Sequence, residues 1–375
     1  MMDIFAYIIW GLTGLYFLIV CCMWGSIKIS VRVLKVAAKV VAQNLRVILV
    51  PITGIIILVG WVAFCVYGML WLFSVGEIVI VTIEVPLTGS LQYKSFVWAE
   101  NEKYMIIFST FCFFWVCAFL MACTEYVQIV AVSSWYFSQN SDTRGNYSIC
   151  RGFWWIFRYN MGSLMFGSFL IALIWMIRIV FEYIDKKMKS SMDMDSDMAA
   201  PLKCISKCCR CYLDCCHRFV KYINKNAYCQ IVLTGENFCT AAINGFLLIL
   251  KNSVTFAFAG AVGTIFSFLG KLLISIGNTM ILYACLVYIP EYFAEVSSPI
   301  GPCIVVFILS YIISTLFMSI YTITALCLLH CLFADIDICK QMDISEFEGS
   351  NRPPEMEGIV AAISKPRPAK HHSDS

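Results

Sequence analysis

The chain has 375 residues, 60% of them hydrophobic and 14% charged, a mean hydropathy of +0.79 and a formal net charge of +3. A soluble chain carries about 25% charged residues, and a soluble fold of this length would split into domains with polar surfaces that no stretch here supplies. The small net charge, scattered between apolar runs, excludes a nucleic-acid partner; the partner that the composition calls for is the lipid bilayer.

The expected fold class is an all-α integral membrane protein: a polytopic helical bundle with about seven transmembrane helices and an amphipathic interfacial helix. Apolar runs long enough to cross a bilayer lie near 4–24, 47–73, 104–132, 162–181, 227–250, 254–289 and 303–332. The start, Met1-Met2-Asp3, has no basic region and no small-residue cleavage site follows, so 4–24 reads as a retained span. Residues 227–250 make the weakest of the seven.

Between the first two spans, segment 26–46 carries Lys28, Arg32, Lys35 and Lys39 in one helical stripe, with Ile27, Val31, Leu34 and Val41 on other faces. It reads as an amphipathic helix on the anionic cytoplasmic leaflet; a merely solvated basic face is the alternative. The loop 74–103, poor in basic residues, is then outside, and 133–161 and the tail are inside. The sequon at Asn146 falls in a cytoplasmic loop and is expected to carry no glycan.

The Cys-rich linker 182–226 holds nine basic residues from Lys186 to Lys225 yet falls outside by alternation. Either the positive-inside rule fails there, or a neighbouring segment turns back without crossing. Residues 1–340 form the transmembrane domain, and 341–375, opening at Asn351-Arg352-Pro353-Pro354, reads as a disordered cytoplasmic tail.

Most of the 20 cysteines lie in apolar runs, where a thiol packs as a small hydrophobe. In the linker, Cys208 and Cys211 have Cys-x-x-Cys spacing but no second separated pair, so zinc is disfavoured and membrane-proximal S-palmitoylation fits better if the linker is cytoplasmic. No phosphate loop, Ser–His–Asp set or His-x-x-x-His helix is present, so no enzyme, no catalytic residue, no metal site and no cofactor is expected.

Several ordered motifs resemble the choline transporter-like family: Ser134-Trp135-Tyr136-Phe137; RYNMGSLMFGS from Arg158 to Ser168; the cysteine-rich stretch leading to Asn224–Tyr228; Gly235–Cys239; Lys251-Asn252; and Leu269-Gly270-Lys271-Leu272. The resemblance covers roughly residues 1–340. Asn160 stands where the family has His, and Glu236 where it has Lys. The resemblance implies ten spans in a full member, with a large loop after the first, so the chain is expected to begin near the fourth.

It also implies transport of choline or a related cationic amine by alternating access around a midplane site, most readily in the plasma membrane, with an organelle membrane as the other location. A non-transporting membrane scaffold or subunit derived from the family is the rival reading, and a lipid-handling or channel-like protein a third.

A quaternary cation needs aromatic faces and net negative potential rather than a catalytic base. The third span and its exit concentrate these groups, so the candidate substrate-binding residues are Glu125, Trp115, Tyr126, Trp135, Tyr136 and Tyr159, near Trp154 and Trp155. A carboxylate within a span faces the bundle interior; Glu125 either contacts substrate or forms a structural pair with Arg178 or Lys271. Interfacial belts are the alternative for the aromatic residues, and helix packing for Lys271, which sits in a run with Gly263, Gly270 and Gly277. The oligomeric state has no signature in the sequence.

Overall fold

A computed structural model describes Trp10 and residues 24–85, 89–97, 99–138, 148–191, 199–288, 298–342 and 352–363. Among these described residues ten helices follow in chain order: α1 (Trp24–Gln43), α2 (Leu49–Ser74), α3 (Glu100–Tyr136), α4 (Ser148–Trp155), α5 (Met161–Ser191), α6 (Ala199–Thr234), α7 (Phe238–Lys251), α8 (Ser253–Tyr288), α9 (Ile300–Gln341) and α10 (Pro354–Ile363). A short 3-10 turn, Leu45–Ile48, joins α1 to α2, and a π-helical turn, Ile156–Asn160, joins α4 to α5.

Among the described residues, five stretches are long and apolar enough to cross a membrane: Leu45–Ser74, Glu100–Tyr136, Ser148–Met188, Ser253–Tyr288 and Ile300–Gln341. A sixth crossing is available if the bent pair of α6 and α7 counts as one, against the seven expected; the span at 4–24 and Asn146 lie outside the described residues, apart from Trp10 and Trp24. The protein is thus a polytopic helical membrane protein. Its described departure from all-α structure is an antiparallel hairpin in the loop 74–103, where β1 (Glu77–Val85) pairs with β2 (Gly89–Val97), Glu77 opposite Val97. The β-branched run from Ile78 to Ile83 accounts for it.

Two further expectations are corrected. Residues 227–250 are not one straight span: α6 ends at Thr234 and α7 leaves it at 104°. The corner is Gly235, whose φ of +73° suits a residue without a Cβ. Asn244 Nδ2 donates to Glu236 Oε2 (2.9 Å), which holds that carboxylate at the positive end of α7. Where the two arms meet, a Cβ on Gly245 would lie 3.2 Å from the Asn226 carbonyl oxygen. Nor is 182–226 a loop-like linker, since α5 continues to Ser191 and α6 begins at Ala199.

The chain divides into two compact units. The first comprises residues 1–51, 125–155 and 226–375, the second 52–124 and 156–225.

In the first unit α8 packs along α9, α1 packs on both, α7 meets α9, and α10 lies on α1. The apolar stripe of α1 is taken up by protein, with Ile29, Val33, Val36, Ala37, Val40 and Val41 buried, while Lys28, Arg32, Lys35 and Lys39 remain exposed. At about 1.5 Å per residue, the 42 residues of α9 reach about 63 Å, twice a ~30 Å hydrocarbon core. The two halves of this helix are dressed accordingly. Ile304, Val305, Ile308, Leu309 and Ile312 are exposed, as lipid-facing residues are, whereas Leu328, Leu329, Cys331 and Leu332 are buried. A small cluster of Val41, Val47, Ala131 and Ile320 marks the start of that protein-covered end.

The segment 341–375, expected to be disordered, contains α10. Pro354 takes the first helical position, where its missing N–H costs nothing, and Met356, Ile359 and Val360 are buried at helical spacing.

In the second unit α5 and α6 form an antiparallel pair. Asn224 Nδ2 donates to Gly167 O (2.7 Å), Trp175 Nε1 to His217 Nε2 (3.0 Å), Arg178 pairs with Asp214 (2.8 Å) and Arg210 with Asp185 (3.0 Å). Residues 210, 214, 217 and 224 are spaced four, three and seven apart, so one face of α6 supplies all four partners. The Cys204, Cys208, Cys211 and Cys215 thiols are exposed along another face, and no cluster able to hold a metal occurs among the described residues.

Candidate functional site

The six candidate residues are divided between the two units. Trp115 and Tyr159 belong to the second. Trp115 is half-buried, donates its indole N–H to Met165 O (3.0 Å) and packs edge-on against Phe169, and Phe111 also touches both rings. Tyr159 is exposed, with the Arg158 guanidinium 5.5 Å from its ring centre.

Glu125, Tyr126, Trp135 and Tyr136 belong to the first unit, on α3. Tyr126, Trp135 and Tyr136 are completely buried and Glu125 is partly so. Trp135 donates its indole N–H to Gln43 Oε1 (2.8 Å), tying the exit of α3 to the last residue of α1. The Tyr136 ring packs against Phe137, with 4.8 Å between centroids. Arg178 makes ion pairs with Glu182 and Asp214, and the Lys271 ammonium lies 6.0 Å from the Tyr311 ring centre.

Next to this buried face the first unit holds a cavity of about 430 Å³. Its walls include Ser133 and Ser134 from α3, Phe137 just beyond it, Trp155 at the end of α4, and Gln230 and Thr234 from the C-terminal end of α6, closed by apolar residues of α3, α6 and α9. The size suits a small organic ligand. No described lining residue is charged.

The electrostatics still favour a cation. Both α3 and α6 terminate at the cavity, at Tyr136 and Thr234, and a helix C-terminus carries unpaired carbonyls and about half a negative charge. Phe137 and Trp155 add aromatic faces, each contributing about 0.5–2 kcal/mol to a bound cation.

Beneath the cavity is a buried polar layer. Ser133 Oγ lies 3.3 Å from Cys327 Sγ, which is 4.0 Å from Cys331 Sγ. His330 Nε2 is 2.8 Å from Asn226 Oδ1, and its ring packs edge-on against Phe256. These contacts join α3 and α6 to α9, and Ser133 also lines the cavity.

Of the lining residues, Phe137, Gln230, Thr234 and the two serines were not among the sequence candidates. The available signal was the motif Ser134–Phe137, whose two central residues turn inward to packing while its two ends face the cavity.

Two of the resembling motifs meet, since Asn224 bonds to Gly167 of the RYNMGSLMFGS stretch; Lys251 of a third pairs with Asp337 of α9 at 3.3 Å.

Residues 7–337 match the sequence profile of a family described as plasma-membrane choline transporter. A choline transporter-like protein 2 of Dictyostelium discoideum is 27% identical over 332 residues, which are 88% of this chain and 49% of that protein. Choline transporter-like 2 of Anopheles gambiae is 31% identical over 231 residues, 60% of this chain and 28% of that one. The human choline transporter-like protein 2 is 30% identical over 237 residues, 62% and 33% respectively. The chain thus spans about half the length of the first of these relatives and about a third of the other two. With the profile covering most of its length, the chain belongs to the choline transporter-like family.

Proposed function

We propose that this chain moves choline or a related cationic amine across the plasma membrane, and that the cavity bounded by Phe137, Trp155 and Gln230 is the inward end of the path. The observation that carries the reading is this cavity's chemistry in a member of this family: two aromatic faces and two helix C-termini, with no fixed cation among the described lining residues. Such a wall solvates a quaternary ammonium, which donates no N–H hydrogen bond, without trapping it.

The cavity lies where α3, α4 and α6 end rather than halfway along them. In an alternating-access cycle it is the vestibule reached from the cytoplasm, and Glu125, about ten residues up α3, supplies negative potential deeper in the path. A monovalent cation gains about 2.3 kcal/mol per 100 mV on entering a negative interior, so no coupling ion is required.

Uptake of labelled choline into proteoliposomes holding an inside-negative potential tests this reading. Saturable uptake that grows with the potential, and weakens in Trp155→Ala, is the expected result. Absence of uptake by folded protein overturns transport and leaves a non-transporting membrane scaffold.

A further inference from the structure

The basic stripe of α1 already has a protein occupant. Lys39 Nζ pairs with Glu355 Oε1 of α10 at 2.7 Å, and Arg32 Nη1 donates to Gly358 O at 3.0 Å. The same tail segment is anchored to α9 through Arg352, whose guanidinium meets Asp335 Oδ2 at 2.6 Å with both side chains buried. Met356, Ile359 and Val360 complete the seat. The tail therefore clasps α1 to the end of α9.

Where the clasp sits matters. α1 runs through the turn Leu45–Ile48 directly into the membrane-crossing α2, so the C-terminal end of α1 lies at the bilayer surface. Leu45, Arg46 and Leu49 are exposed there, and at the other end Lys28 lies 5.8 Å from the ring centre of the exposed Trp24. Exposed Trp, Leu, Lys and Arg at the two ends of α1 are the composition of a surface held against headgroups. Lys28 and Lys35 continue the same stripe and are exposed. An anionic headgroup that approaches them meets Arg32 and Lys39 next, and it offers these two cations charged acceptor oxygens in place of the Glu355 carboxylate and the Gly358 carbonyl.

We propose that α10 and the anionic phospholipid headgroups of the cytoplasmic leaflet compete for Arg32 and Lys39, so that lipid charge releases the clasp between α1 and α9.

Hydrogen exchange on the full chain in nanodiscs tests it, with phosphatidylcholine alone or mixed with phosphatidylserine. The expected result is faster exchange of the α10 amides in the mixed bilayer, by about fivefold for each cation taken over by lipid. In Arg32→Gln/Lys39→Gln, α10 exchange is expected to be fast in both bilayers and indifferent to lipid charge. Protection at Leu328–Phe333 of α9 reports that the fold is kept. Equal α10 protection of the unmodified chain in the two bilayers overturns the proposal, as does a lipid effect that survives in the double variant.

Discussion

The side-chain amide of Asn224 donates to the carbonyl oxygen of Gly167 across the α5–α6 pair, 2.7 Å away, and both residues belong to stretches that carry the family resemblance. The bond is buried, and the Gly167 carbonyl, inside α5, keeps its backbone partner, so Asn224→Ala removes one buried hydrogen bond. It is expected to cost about 0.5–1.5 kcal/mol. Thermal unfolding in detergent measures it, and a shift no larger than that of an exposed control such as Lys186→Ala would detach this bond from the stability of the pair.

The antiparallel register also sets which positions share a side of the membrane. Lys187 on α5 and Lys207 on α6 lie beyond the same end of the pair, since 185 meets 210 and 175 meets 217. Single cysteines at 187 and 207, in a background stripped of native cysteines, are expected to react with an impermeant reagent from the same face of sealed vesicles. Labelling from opposite faces would be incompatible with the pairing.

Gly235 holds the corner between α6 and α7 with a positive φ. Nothing lies within 4 Å of the position its Cβ would take, so Gly235→Ala incurs conformational strain alone, about 1–2 kcal/mol. The expected outcome is a less stable protein with a displaced Gln230–Thr234 wall and weaker choline binding. Unaltered stability and binding would show that the corner does not depend on glycine.

The long apolar spans were legible in the sequence because a helix that faces lipid needs no partner to declare itself: Leu49–Ser74 holds no charged residue. The α5–α6 pair was hidden for the opposite reason. Arg178, Arg210, Asp185 and Asp214 read as scattered charges until the two helices are set against each other. The break at Gly235 did have a local signal, Thr-Gly-Glu-Asn, where glycine ends one helix and asparagine precedes the next. α10 was equally readable from Pro354 and the spacing of Met356, Ile359 and Val360, but its neighbours Asn351-Arg352-Pro353 suggested a tail. For the cavity, the Ser134–Phe137 stretch was visible, yet which of its residues point inward follows only from the meeting of α3, α6 and α9.

Glu125 lies on the buried side of α3 near Tyr126, and its proposed role is negative potential along the path. Glu125→Gln is expected to raise the apparent KM for choline about tenfold while the protein reaches the membrane in normal amount. Reduced expression with unchanged KM would instead assign the carboxylate a structural partner.

On the proposed reading the cavity at Phe137 and Trp155, rather than the buried rings beside it, receives the cation. Equilibrium binding of labelled choline to the purified chain, compared for Trp155→Ala and Trp135→Phe, tests it most directly. Trp155→Ala removes an aromatic face from the wall and is expected to raise Kd about 2- to 30-fold. Trp135→Phe removes only the donor to Gln43, and is expected to lower stability by about 1 kcal/mol and leave Kd unchanged. A Kd that rises in Trp135→Phe and stays constant in Trp155→Ala would contradict the account.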